Sequence, residues 1–135
     1  MEKSCGIVLF NSDEVLLIQH PTGSNNIPGH WDFPKGHIEK NETEIETATR
    51  ELFEETGIQD FELIDNFRYK ISYDVFREGK KIPKEVIFFM AKCNTKDVKL
   101  SDEHQDYCWL DFASAYDLLT YDNAKQVFRK TQSFL

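Results

Sequence analysis

Three carboxylates, Glu51, Glu54 and Glu55, stand at positions i, i+3 and i+4 of a stretch whose apolar residues Ile45, Ala48, Leu52 and Phe53 recur at helical spacing. The pattern predicts a helix running from Asn41 and stopped by Gly57. Its four apolar residues are expected to face the core, and its three glutamates to project together from one side. Like charges at this spacing cost a few tenths of a kcal/mol per pair, whereas a helix shaped for stability alone would alternate signs. The plain reading of such a charge run is a solvated face. The sharper reading is a face for a divalent cation, because hard cations such as Mg2+ take oxygen ligands.

The remaining sequence is mostly strand-like. Residues 3–10 and 14–20 read as strands joined by the polar turn Asn11-Ser12-Asp13. Residues 21–30, rich in Gly, Pro, Asn and Ser, read as a loop, and Trp31 to Pro34 as a short strand leading into Lys35-Gly36. Further strands are predicted over 61–73 and 84–93, joined by a turn around Glu78-Gly79-Lys80, and over 107–110. Helices follow over 112–119 and 122–132. Strands interleaved with a central helix and closed by terminal helices predict an α/β fold: an α/β/α sandwich with a mixed central sheet, one domain over residues 1–135.

The net charge of −8 argues against general nucleic-acid binding, which calls for a basic patch or stripe. An acidic chain can still bind a polyphosphate if metal cations or a small group of Lys and Arg neutralise it. Cys5, Cys93 and Cys108 form no CxxC pair and fit neither a disulfide framework nor a zinc site, so they are expected to be small buried hydrophobes in a reducing, cytoplasmic setting. The apolar run from Gly6 to Phe10 is too short for a signal peptide or a membrane span.

Gly36, Glu42, Arg50, Glu51, Leu52, Glu54, Glu55, Gly57 and Ile58 together fit G-x5-E-x7-R-E-U-x-E-E-x-G-U, with U a bulky aliphatic residue. A chance match in so short a chain has odds on the order of one in ten million. The segment resembles the Nudix box, and the resemblance implies a Nudix-type fold and metal-dependent hydrolysis of a phosphoanhydride. It assigns Mg2+ or Mn2+ to Glu51, Glu54, Glu55 and, from outside the box, Glu103, with Glu55 the most central. Arg50 would orient the glutamates, Glu42 would brace the loop, and Gly36 and Gly57 would serve backbone geometry.

The resemblance extends beyond the box. His30-Trp31-Asp32-Phe33-Pro34-Lys35-Gly36-His37 is similar to the H-W-x-x-P-K-G-H segment of the asymmetrical diadenosine tetraphosphate hydrolases, and residues 101–110 to their S-x-E-H-Q-x-Y-x-W-L. Tyr73 and Pro83-Lys84-Glu85-Val86-Ile87 stand where that family places a Tyr and P-K-x-V-I. The implied reaction converts diadenosine tetraphosphate to ATP and AMP, in a monomer acting on a small nucleotide. Lys35 and Lys84 would meet the polyphosphate, His30 or His37 a phosphate oxygen, and Tyr73 a nucleobase. The bland alternatives are a surface lysine, a structural histidine and a core tyrosine. Glu103 would be a metal ligand or the general base, with Glu51 the rival for the base. Asp32-Phe33 stands where animal-type enzymes carry Thr-Pro, and the hairpin from Arg77 to Lys81 is longer, which leaves base preference open. The rival readings are an RNA 5′-pyrophosphohydrolase, a nucleoside triphosphate pyrophosphohydrolase, and a non-catalytic Nudix-fold nucleotide-binding module. Such a module typically loses a box glutamate; here every one is kept.

Overall fold

In the computed structural model, which describes residues 1–135, one apolar strand organises the rest. β1 (Glu2–Asn11) is buried along most of its length, so both of its edges must find hydrogen-bonding partners. One edge runs parallel to β7 (Lys80–Lys92), from Glu2↔Lys84 to Phe10↔Lys92. The other edge is divided: Ser4, Cys5 and Gly6 pair with β4 (Lys35–His37), while Phe10 and Asn11 pair with β2 (Glu14–Gln19). β3 (Trp31–Asp32) and β8 (Asp106–Leu110) join β2; β5 (Glu62–Leu63) and β6 (Tyr69–Arg77) join β7. One parallel pair among antiparallel ones makes the sheet mixed, as the sequence predicts.

Alternation along β1 sends Ile7 and Leu9 to one face and Val8 and Phe10 to the other. α1 (Glu44–Thr56) packs on the first face through Ala48 and Leu52. α2 (Phe112–Leu118) and α3 (Asp122–Thr131) pack on the second through Ala115, Val127 and Phe128. The result is the expected α/β/α sandwich. No helix is long and apolar enough to cross a membrane. All three cysteines are free, with Cys5 and Cys93 buried and Cys108 half-buried.

Several element boundaries differ from the sequence reading, each for a local reason. The predicted strand from Trp31 to Pro34 is shortened to β3, with β4 starting only at Lys35, because Pro34 has no N–H for a ladder and its carbonyl accepts the Ile7 N–H at 3.1 Å. The predicted strand over 61–73 is interrupted by a turn at Asp65-Asn66, where Asn66 takes φ 71°. β7 starts at Lys80 because Glu78 (φ 53°) and Gly79 (φ 75°) form a two-residue turn with both φ positive, which keeps Arg77 paired with Lys80.

The larger correction concerns α1. Ile45 and Phe53, expected in the core, are 44% and 46% exposed. The helix rests on the sheet through Thr47, Ala48, Leu52, Glu55 and Thr56, so its inward arc is rotated away from both residues and polar side chains occupy part of it. The helix starts at Glu44 because Asn41 is left-handed (φ 69°) and Thr43 provides the cap. Thr43 Oγ1 accepts the Glu46 N–H at 3.1 Å, and the Glu46 carboxylate accepts the Thr43 N–H at 2.8 Å. At the other end Gly57, at φ 76°, donates its N–H to Phe53 O at 2.8 Å. Thr43→Ala is expected to lower stability by about 1 kcal/mol, read as a lower urea midpoint with an unchanged m-value.

Candidate active site

The face of α1 that looks toward β4 is assembled around one guanidinium. Arg50 Nε donates to Glu42 Oε2 at 2.7 Å and Nη2 to Glu42 Oε1 at 3.1 Å, a bidentate pair. Nη1 reaches Glu51 Oε1 at 3.1 Å and Glu54 Oε1 at 2.9 Å, and Nη2 also donates to His37 O at 2.9 Å. Glu42 accepts in addition from the Glu39 N–H at 3.0 Å and from Thr47 Oγ1 at 2.8 Å. The hydrogen bond from Arg50, above all, holds the Glu42 carboxyl down at about 2, so it stays ionised as a brace between loop and helix.

Gly36 lies against the next residue of the set. A Cβ at this position would sit 2.0 Å from Glu51 Cδ and 2.2 Å from both of its carboxylate oxygens, so the absence of a side chain makes room for that carboxylate. Glu55 is only 6% exposed and accepts the Lys35 N–H at 3.2 Å. Burial, and then the neighbouring Glu51 charge, push the Glu55 carboxyl up to about 9. Burial also raises Glu51. Glu54, in contrast, stands at the rim with its side chain 53% exposed, tied to Arg50.

Two lysines lie on strands β4 and β7. Lys35 Nζ is 3.1 Å from Asp32 Oδ2 and 3.4 Å from Tyr73 Oη. Burial works against its charge, but Asp32 and Tyr73 outweigh that and leave its pKa above the ordinary lysine value. Lys84 faces Tyr73 across the β6–β7 ladder, half-buried, and burial followed by the Lys35 charge lowers its pKa. His37 is exposed, with its pKa lowered by burial and then by Lys84. Tyr73 does two things at once, packing against the core cluster and presenting its hydroxyl to Lys35.

Asp32 was not among the site residues read from the sequence. It is buried, accepts the Phe33 N–H at 2.7 Å, and fixes Lys35. Its neighbour Phe33 is a core residue, edge-on to Phe88 and Phe128. The Asp32-Phe33 departure therefore changes both the Lys35 environment and the packing beneath it.

His30 does not join the Lys35 group directly. Its ring stacks on His20 with centroids 3.9 Å apart and lies 5.2 Å from the exposed ring of Tyr121. Neither His20 nor Tyr121 carried a recognisable sequence signal, since both are brought in by the sheet. Glu103 is exposed on the turn before β8, and its charge raises the pKa of both Glu51 and Glu55. A cavity lined by residues such as Ile58, Phe61, Met90 and Phe134 contains none of these groups.

The donors suit a hard divalent ion in kind. They are all carboxylate oxygens, two with pKa values raised by burial and mutual repulsion, beside a cradle that a Cβ at Gly36 would fill. No three His, Cys, Asp or Glu side chains close on one point by themselves.

The cost of burying Glu55 has a definite pH dependence. Below about pH 4.5 the carboxyl is protonated in both folded and unfolded chains; above it the unfolded chain ionises first, so stability falls as pH rises toward about 9. In EDTA, Glu55→Gln is expected to melt near the wild-type temperature at pH 4.5 and several degrees higher at pH 8, by differential scanning calorimetry. A gap that fails to widen with pH would contradict this account.

The chain matches the NUDIX domain family over residues 2–131, from the first residue of β1 to the last of α3. It is 35% identical to the asymmetrical bis(5′-nucleosyl)-tetraphosphatase of Rattus norvegicus, over 98% of this chain and 95% of the rat protein. The RNA pyrophosphohydrolase of Pelagibacter ubique is 28% identical over 88% of this chain and 82% of its own. A C. elegans Ap4A hydrolase, solved as a binary complex, superposes with a TM-score of 0.84 and 30% identity, covering 99% of this chain and 97% of that one. A match that spans the whole sheet and all three helices places the chain in the NUDIX hydrolase family.

Proposed function

We propose that this chain hydrolyses a phosphoanhydride bond of dinucleoside polyphosphates, with diadenosine tetraphosphate giving ATP and AMP. The observation that carries the reading is the placement of Glu51 and Glu55 against β4, the strand that also carries Lys35, whose ammonium is fixed by Asp32 and Tyr73, with Lys84 opposite Tyr73 in the β6–β7 ladder. Glu51 and Glu55, with Glu54 at the rim, would hold Mg2+ or Mn2+. Such an ion supplies Lewis acidity and lowers the pKa of the attacking water.

The chain's own residues do the rest. Glu51 is held by Arg50, whereas Glu103 is exposed on a turn, which favours Glu103 as the acceptor of the water proton. The water oxygen bonds to phosphorus as the bond to the bridging oxygen breaks, and negative charge collects on the leaving nucleotide. Lys35 and Lys84 stabilise that charge from positions fixed before the reaction. Tyr73 and the exposed Tyr121 offer ring faces for a nucleobase. The free cysteines suit a cytoplasmic setting.

Anion-exchange analysis after incubation with diadenosine tetraphosphate and Mg2+ is expected to show equimolar ATP and AMP, lost on adding EDTA. Glu55→Gln should lower turnover at least a hundredfold while remaining folded. Gly36→Ala should also lose turnover, about a hundredfold through displacement of Glu51, with little change in melting because the displaced atoms end a flexible side chain. Pyrophosphate or orthophosphate from triphosphorylated RNA or a nucleoside triphosphate, without cleavage of the dinucleotide, would replace this substrate with one of its rivals.

A further inference from the structure

Three of the chain's four histidines form a column that the proposed chemistry does not use. His30 stacks on His20 at 3.9 Å, and His20 meets His104 edge-on at 4.9 Å. His104 is 8% exposed, and its Nε2 is buried with no hydrogen-bond partner. Its Nδ1 is 2.9 Å from Ser101 Oγ, and its backbone N–H donates to Ser101 O at 3.2 Å. A buried imidazole bonded to the residue three positions earlier closes a tight turn around the two residues between them, Asp102 and Glu103.

That turn is anchored at both ends. Before it, the Lys99 N–H donates to Thr56 O at 2.9 Å and the Ser101 N–H to Glu55 O at 3.1 Å, tying it to the last turn of α1. After it, the Gln105 N–H donates to Gln19 O at 3.0 Å, and Gln105 Oε1 accepts from the Thr22 N–H at 2.9 Å and from Thr22 Oγ1 at 3.1 Å. His20 opens the 20–30 loop, and its N–H donates to His30 O at 2.9 Å, so the column bears on a closed loop rather than a free one. Between the anchors Glu103 is exposed, two residues from the Ser101 N–H that bonds the Glu55 carbonyl.

We propose that His104 is a positioning residue: packed against His20 and bonded to Ser101, it fixes the 101–105 turn so that Glu103 is held beside the last turn of α1, which carries Glu55. This inference rests on the role given to Glu103 above. His104 touches neither substrate nor reacting atoms; it acts through the backbone between Ser101 and Gln105. The buried, unpartnered Nε2 is consistent with a ring retained for the contact on its Nδ1 side and for packing.

The test is a double-mutant cycle on the full chain, with a second readout that needs no substrate or metal. His104→Phe keeps a ring against His20 but deletes the bond to Ser101. Ser101→Ala deletes the same bond and leaves the ring, and serves if the first variant fails to fold. Each is expected to lower kcat about tenfold to a hundredfold with KM within about twofold, the scale of a small misplacement. In a Glu103→Gln background neither should lower kcat further, because the residue they position is already lost. His104→Asn, whose amide falls near the Nδ1 position, should recover most of the loss. In EDTA, without substrate, amide exchange at residues 101–105 should speed up at least tenfold in His104→Phe and Ser101→Ala, with β1 and β7 unchanged. Losses that multiply in the double variants, or unchanged exchange in the turn, overturn the proposal. Glu103→Gln at wild-type activity removes the role of Glu103 and this inference with it. Failure of diadenosine tetraphosphate as substrate leaves the cycle to be run on whichever phosphoanhydride is cleaved.

Discussion

The site depends on how completely one guanidinium is used. Arg50 bonds Glu42, Glu51, Glu54 and the His37 carbonyl, and so joins the loop before α1, the helix itself and strand β4. Without that connection, the like charges of Glu51 and Glu54 would repel each other unscreened by a shared partner. With it, Glu51 is turned into the space left by Gly36, while Glu42 stays ionised as a strut. A lysine could not replace it, because a point charge cannot make a planar bidentate contact and reach three other acceptors.

The arrangement works against stability at one place and offsets that elsewhere. Glu55 sits where a core residue would be expected on the inward arc of α1, and burial raises its carboxyl to about 9. The same helix carries a complete capping box, a glycine C-cap and the ion pairs of Glu44 with Lys3 and Arg68, which secure it away from the site. Strain localised at reactive groups and stabilisation spread over the scaffold is the usual division between site and fold.

Charge is also divided by location. The chain is acidic overall, but Lys35, Lys84 and the exposed His37 lie close enough to one another to interact. Lys35 is engaged by Asp32, which holds its ammonium in place and keeps it charged.

What the sequence determined by itself were the features written in local periodicity and spacing. Alternation over 3–10 and 14–20, the helical repeat that ends at Gly57, and the offsets among Arg50, Glu51, Glu54 and Glu55 follow 2- and 3.6-residue repeats, and they determined the fold class and the existence and C-terminal end of α1. The tertiary structure decided everything that depends on how those elements are rotated and laid side by side. The roll of α1 on the sheet buried Glu55 and left Ile45 and Phe53 exposed. The placement of β4 beside β1 and of β6 beside β7 brought Lys35, Tyr73 and Lys84 together, and the pairing of β8 with β2 set His104 against His20. None of these contacts follows from spacing along the chain, because each joins residues whose separation in sequence says nothing about which strand edges meet.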